Sequence, residues 1–148
     1  MQTEEVGVAP STAEDALLRL VMAVGRRFRT RADGDDVDPS QAALLYKLKY
    51  HGAMRLGDIA EAMKLDASTV SRHVQQLGDR GLIQRQPDPQ DGRASIIALT
   101  ADGLVSLKKT IDQRRSFISA SLSEWSDVDR ERLRTDLIRL TESLGDPA

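Results

Sequence analysis

The chain has 148 residues, enough for one domain with its own core, and its 40% hydrophobic and 30% charged content is that of a folded globular protein, not a disordered one. With no cysteine and only two histidines, disulfides, thiol chemistry, thiolate-bound metals and a histidine-rich metal site are excluded, and no cofactor is implied. A net charge of −2 argues against wholesale nucleic-acid binding, but a local positive face can be offset by an acidic remainder.

Aromatic residues are only 3% of the chain, so the core must be built from Leu, Ile, Val and Ala, which favours packed helices. No apolar run approaches the ~20 residues that span a bilayer. The start MQTEEVGVAPSTAED is acidic and polar, unlike a signal peptide. A cytoplasmic protein without membrane contact is expected.

Residues 1–10 read as a frayed tail. Ser11 and Glu14 have capping-box spacing, the Ser side chain accepting from the third helical amide. Ala13, Leu17, Leu20, Val21, Val24 and Phe28 form a helical stripe behind them. Arg26, Arg27, Arg29 and Arg31 cluster at its end, best read as a solvated face. RTRADGDDVDP then breaks the helix. Asp38-Pro39 starts another: an acidic cap, proline at the first helical position, and Gln41 reaching back. Ala43, Leu44, Leu45 and Leu48 are expected to face inward, and Gly52 to end the helix.

Met54-Arg55-Leu56 reads as extended. A brief helix follows from Gly57 to about Met63, with Ile59, Ala60 and Met63 on one side. Lys64-Leu65 turns into Asp66, the cap of a helix that runs to about Arg80 and stops at Gly81. Leu82–Gln86 and Ala94–Leu99 read as strands around the turn PDPQDG. Thr100 caps a long helix with Leu104, Leu107, Ile111, Ile118 and Leu122 as its stripe. Ser126 and Asp129 open the last helix, where Leu133, Leu137, Leu140 and Leu144 alternate in spacings of four and three, a heptad-like seam. Trp125, just before it, reads as a packing anchor.

The helix after Asp66 carries the chemistry. Val70, Val74 and Leu77 point to a core, while Ser68, Thr69, Arg72, Gln75 and Gln76 lie outward, with Ser71 on a flank. Short hydroxyls at the N-terminal end permit close approach to a DNA groove. Gln pairs with adenine and Arg with guanine, and the helix dipole favours nearby phosphate. A solvated helix that merely lacks lysine would look similar, but the neighbouring hairpin tips the balance. Arg85 leads into it, Arg93 leaves it, and an arginine on a slender hairpin can enter a narrow minor groove. Asp91 can orient Arg93 through a charge-assisted bond. Arg55, Lys64 and His73 are further candidate phosphate contacts. His73 flanks the core stripe, which favours a structural histidine over a pH sensor.

The run DPQDGRASIIALTADG resembles the wing signature of the MarR family (multiple antibiotic resistance regulators): an Asp, one residue, an Arg, then a short strand ending in Leu-Thr, two residues, Gly. Asp91, Arg93, Leu99, Thr100 and Gly103 match it. STVSRHVQQLGDRGLIQR and RLGDIAEAMKLD resemble the family's recognition helix with first wing strand, and its preceding helix. Many members carry Arg where this chain has Gly92, so the wing here is less positive. The resemblance implies a mainly α fold with a small β-hairpin wing: a winged helix-turn-helix at 39–99 and dimerisation helices at 11–31 and 101–144, in one domain of 11–148. It also implies a homodimeric regulator, a repressor, that binds double-stranded DNA at a pseudo-palindromic operator and is released by a small-molecule effector. The alternative is a winged helix used as a protein-interaction module, which would need an exposed apolar patch in place of this polar helix face. An enzyme has no support: no acid/base constellation, phosphate loop or metal-ligand spacing is present.

Overall fold

The computed structural model describes residues 9–29 and 36–145. Most of the expected tail, positions 30–35 of the expected break with Arg31, and residues 146–148 lie outside the described residues. The elements run α1 (Ala13–Arg29), α2 (Pro39–His51), β1 (Met54–Arg55), α3 (Leu56–Met63), α4 (Ala67–Asp79), β2 (Ile83–Pro87), β3 (Ser95–Leu99), α5 (Ala101–Ser121) and α6 (Asp127–Ser143). Two compact units are formed, residues 1–110 and 111–148, with the boundary inside α5. Among the described residues, no helix is long and apolar enough to cross a membrane.

The first unit holds the core. Leu44, Leu45 and Leu48 of α2, Ile59 of α3, Val70, Val74 and Leu77 of α4, Ile97 of β3 and Leu107 of α5 are all buried. Removing such aliphatic surface from water is the main stabilising term in a fold of this kind. The α2 stripe differs from expectation: Ala42 is buried and Ala43 exposed. The buried line is 41, 44, 45 and 48, so it includes the polar Gln41, which a hydrophobic pattern cannot mark.

Local chemistry sets the ends of these helices. Asp38 caps α2 by accepting the Gln41 amide at 2.9 Å, and Gln41 Oε1 accepts the Asp38 amide at 3.3 Å. Gly52, at φ 77°, ends it. The cap of α1 is one residue later than expected: Thr12 Oγ1, not Ser11, accepts the Asp15 amide at 3.1 Å. Two adjacent hydroxyls compete there, and the second wins. No residue of α1 is buried; Leu17, Val24 and Phe28 are half-buried, and Leu18, Leu20, Val21 and Met22 are exposed.

The sheet is antiparallel, in the order β1-β3-β2. Ile83 pairs with Leu99 and Pro87 with Ser95, while Met54 pairs with Ile97. The expected hairpin is therefore present, with strand starts shifted by one residue. The third strand, β1, ties its inner edge to the segment entering α3. Thr100 caps α5, accepting the Gly103 amide at 3.0 Å and donating to Gly81 O at 2.6 Å.

In the second unit, Ser126 Oγ accepts the Asp129 amide at 3.1 Å and opens α6. Arg130 Nε and Nη2 both donate to Leu122 O, at 3.1 and 2.6 Å, satisfying a carbonyl left over just past the end of α5. No residue of α6 is buried. Leu133 and Leu140 of the expected seam are half-buried, and Leu137, Leu144 and Trp125 are exposed.

Candidate nucleic-acid interface

Asp66 opens α4. Its Oδ1 accepts the Thr69 amide and the Ser68 hydroxyl, each at 2.7 Å. The Ser68 hydroxyl first, then Thr69, and last the nearby Arg72 charge hold the Asp66 carboxyl down at about 2, against its usual 3.8. The Ser68 proton is thus committed within the helix, leaving its oxygen as an acceptor. A carboxyl depressed by folding stabilises the native state above about pH 3.8, and that contribution is lost as pH falls toward 2. Asp66→Asn keeps the cap but removes the titration. The variant is expected to be less stable than the parent at neutral pH, with the gap closing through that acid window. A gap independent of pH, in urea titrations from pH 7 to 2, would contradict this.

Three turns of α4 then present its outward set. Arg72, Gln75 and Gln76 are exposed, and Thr69 and Ser71 are half-buried. Arg72 makes no hydrogen bond or ion pair among the described residues, and its charge is felt at Asp66. Gln75 Nε2 donates to Asp79 Oδ1 at 2.9 Å. Gln76 Oε1 accepts from Gln41 Nε2 of α2 at 3.0 Å. Val70, Val74 and Leu77 fix the opposite face in the core. His73 is only 8% exposed and its Nδ1 lacks a hydrogen-bond partner among the described residues. That burial leaves it little surface for a phosphate and favours its structural reading. Lys64, in the turn between α3 and α4, is exposed and left-handed at φ 52°.

The wing is built on an aspartate that the sequence did not single out. Asp88 is 8% exposed. Its Oδ1 accepts the Gln90 amide at 2.8 Å, and its Oδ2 takes Arg55 Nε at 2.7 Å and Nη2 at 2.6 Å. The Gln90 amide first, and then the Arg55 guanidinium, hold the Asp88 carboxyl below the usual carboxylate range. Charge-assisted bonds of this kind are roughly twice as strong as neutral ones. Arg55, expected as a phosphate contact, is therefore a strut between β1 and the wing, with about half of its side chain still exposed. Asp88 follows a proline, in a segment short of backbone donors, and this is the one local hint of its role.

Beyond Asp88 the loop turns on Asp91. Asp91 O accepts the Ala94 amide at 3.0 Å, and Asp91 Oδ1 accepts the Arg93 backbone amide at 3.1 Å. The expected charge-assisted bond to the Arg93 side chain is not made. Asp91 shapes the turn, and the Arg93 guanidinium has no ion pair among the described residues. Arg85, on β2 opposite Ile97, is exposed as well. A side chain at Gly92 would meet nothing within 4 Å, so neither space nor a left-handed backbone requires glycine there.

Two helices joined by a tight turn, followed by a charged hairpin, define a winged helix-turn-helix. The MarR family model matches residues 37–95, from the end of the break into β3. The HTH-type transcriptional regulator YxaD of Bacillus subtilis (strain 168), itself uncharacterized, is 34% identical over 111 residues, covering 75% of this chain and 78% of YxaD. The chain belongs to the MarR family and is a DNA-binding transcriptional regulator, not an enzyme. Among solved structures, a MarR family protein from Bacillus stearothermophilus shares the fold, with a TM-score of 0.77 at 23% identity over 89% of this chain and 93% of that one. So does a point mutant of S. aureus MepR bound to an oligodeoxyribonucleotide, with a TM-score of 0.63 at 23% identity over 90% and 99% of the two chains.

Proposed function

We propose that this protein is a cytoplasmic homodimeric repressor that reads a pseudo-palindromic operator, with α4 in the major groove and the wing in the minor groove. The observation that carries this is the polar outward face of α4, in the same unit as a hairpin held at its base by the Arg55–Asp88 pair, with Arg72 and Arg93 exposed and without an ion pair among the described residues. In this reading Ser68, Thr69, Ser71, Arg72, Gln75, Gln76, Arg85 and Arg93 face DNA, Asp91 shapes the wing, and Lys64 and the outer edge of Arg55 lie near phosphates. A MepR mutant, whose fold this chain shares, is bound to an oligodeoxyribonucleotide, which supports DNA binding through this fold.

The dimer would use residues 11–31 and 101–144, with 39–99 as the DNA-binding module of a single functional domain spanning 11–148. Support comes from where apolar side chains remain uncovered. Leu18, Val21 and Met22 of α1 are about 60% exposed, and Val128 and Leu144 in the α6 region are 67% and 74% exposed. Apolar groups left uncovered on each of these helices are what a partner would cover, and a second copy would offer the same groups in return. A dimer seated on its operator occludes other proteins from that DNA, which is repression. Release by a small-molecule effector belongs to the same proposal and rests on family membership.

Arg93→Ala tests the wing. The side chain is exposed and makes no hydrogen bond or ion pair among the described residues, so melting and dimerisation should not change. Loss of one phosphate-region cation is expected to lower the slope of log affinity against log salt by about 0.9. An unchanged affinity and slope, on a probe long enough to cover both flanks, would remove the wing from the interface.

A further inference from the structure

We infer that Gln41, buried at the start of α2, is a positioning residue for DNA recognition: it fixes the Gln76 amide so that α4 offers a hydrogen-bond donor at that point, an inference resting on α4 being the helix that faces the duplex. Oxygen and nitrogen of an amide are told apart by the network around them, and here the network leaves one solution. The Asp38 backbone N–H can only donate, and Gln41 Oε1 receives it at 3.3 Å. Gln41 must then turn its NH₂ toward α4, where it meets Gln76 at 3.0 Å. Gln76 answers with its oxygen, and its own NH₂ has no hydrogen-bond partner among the described residues. Gln41 is 8% exposed and built into the α2 cap, so it does not turn over easily.

Gln76 lies one helical turn beyond Arg72 and so shares its face. A free glutamine pairs with adenine through both ends of its amide. With its oxygen directed to Gln41, Gln76 keeps only the donor end. In the major groove that end suits the N7 and O6 of guanine, the O4 of thymine or the N7 of adenine, and it is mismatched to cytosine, which shows only its N4 donor. A phosphate oxygen would accept the same donor. The shared chemistry is an acceptor atom on the duplex.

Gln41→Glu separates these cases. Glutamate can still accept the Asp38 amide, but it offers Gln76 only acceptors. Gln76 must then turn over and present its oxygen to the DNA. The full-length protein would be titrated with duplex probes carrying each base in turn at every position of its selected operator, preferences being read as ratios between probes. If Gln76 meets a base, Gln41→Glu should move the preference at one position per half-site from guanine or thymine toward cytosine, by about tenfold, as one neutral hydrogen bond allows, with adenine, which shows both an acceptor and a donor, changing least. Gln76→Ala should flatten that position in both backgrounds. If Gln76 meets a phosphate, Gln76→Ala and Gln41→Glu should weaken all probes equally. Should Gln41→Glu fail to fold by circular dichroism, Gln41→Met is used; it frees Gln76 to turn either way and should broaden the position. A folded Gln41→Glu or Gln41→Met protein with the parent's affinities and profile overturns the inference. So does a silent Gln76→Ala. If Arg72→Ala is silent too, the assignment of α4 to the DNA fails with it; if Arg72→Ala flattens its own position, that assignment stands and only the role of Gln41 is lost.

Discussion

Gly103→Ala is expected to lower stability by about 1–3 kcal/mol or more, the range for forcing extra volume into a packed site. A Cβ at position 103 would lie 2.0 Å from Leu82 O and 2.7 Å from Leu99 Cδ1. The first of these is backbone and cannot swing aside. Relief requires the start of α5 to move off the start of β2, and that movement would pull on the bonds from Thr100 to Gly81 O and Leu82 O, 2.6 and 3.2 Å long. The melting temperature should drop by several degrees, given roughly 2–4 °C per kcal/mol for a chain near this size. Gly78→Ala is the control. That glycine sits within α4 with nothing within 4 Å of a Cβ and no left-handed φ. Alanine there should be neutral or stabilising by up to about 1 kcal/mol. Equal melting temperatures for Gly103→Ala and the parent would show that the α5–β2 approach is looser than described.

Arg72→Ala is expected to cost about 1–3 kcal/mol of discrimination between the cognate operator and a probe changed at one base pair, or roughly 5- to 150-fold. Arg72 is exposed midway along α4 and has no ion pair or hydrogen bond among the described residues, so truncation strands no buried partner among them. Stability should stay within about 0.5 kcal/mol of the parent, as for other surface changes. Affinity for non-specific DNA should fall less than affinity for the operator. Equal losses on both would make Arg72 a phosphate contact.

What could be read from the sequence was what is decided within a few residues. Asp38-Pro39-Gln41, Asp66, Thr100 and Ser126 cap the helices assigned to them, because a cap involves only the next three amides. Val70, Val74 and Leu77 are buried because one helical period puts them on one face. The tight loop between the wing strands followed from its prolines, aspartates and glycine. Contacts across the fold were not legible. Arg55 and Asp88 are 33 residues apart, and Gln41 and Gln76 are 35. Nothing local says that β1 joins the wing, so the sequence alone offers Arg55 as a phosphate contact and Asp88 only as part of a turn. Gln41 was read as a cap, which it is, but its other end reaches α4. The spacing of Asp91 and Arg93 predicts a bond between their side chains. The turn brings the backbone amide of Arg93, rather than its side chain, to the carboxylate.

The central claim is that two copies of α4 and the wing read a pseudo-palindrome. Selection of bound duplexes from a random DNA pool by the full-length protein tests it most directly. The expected result is an enriched inverted repeat whose half-sites are centred about 10 base pairs apart, one turn of the duplex. Enrichment of a single unrepeated site, or of no sequence at all, would contradict it.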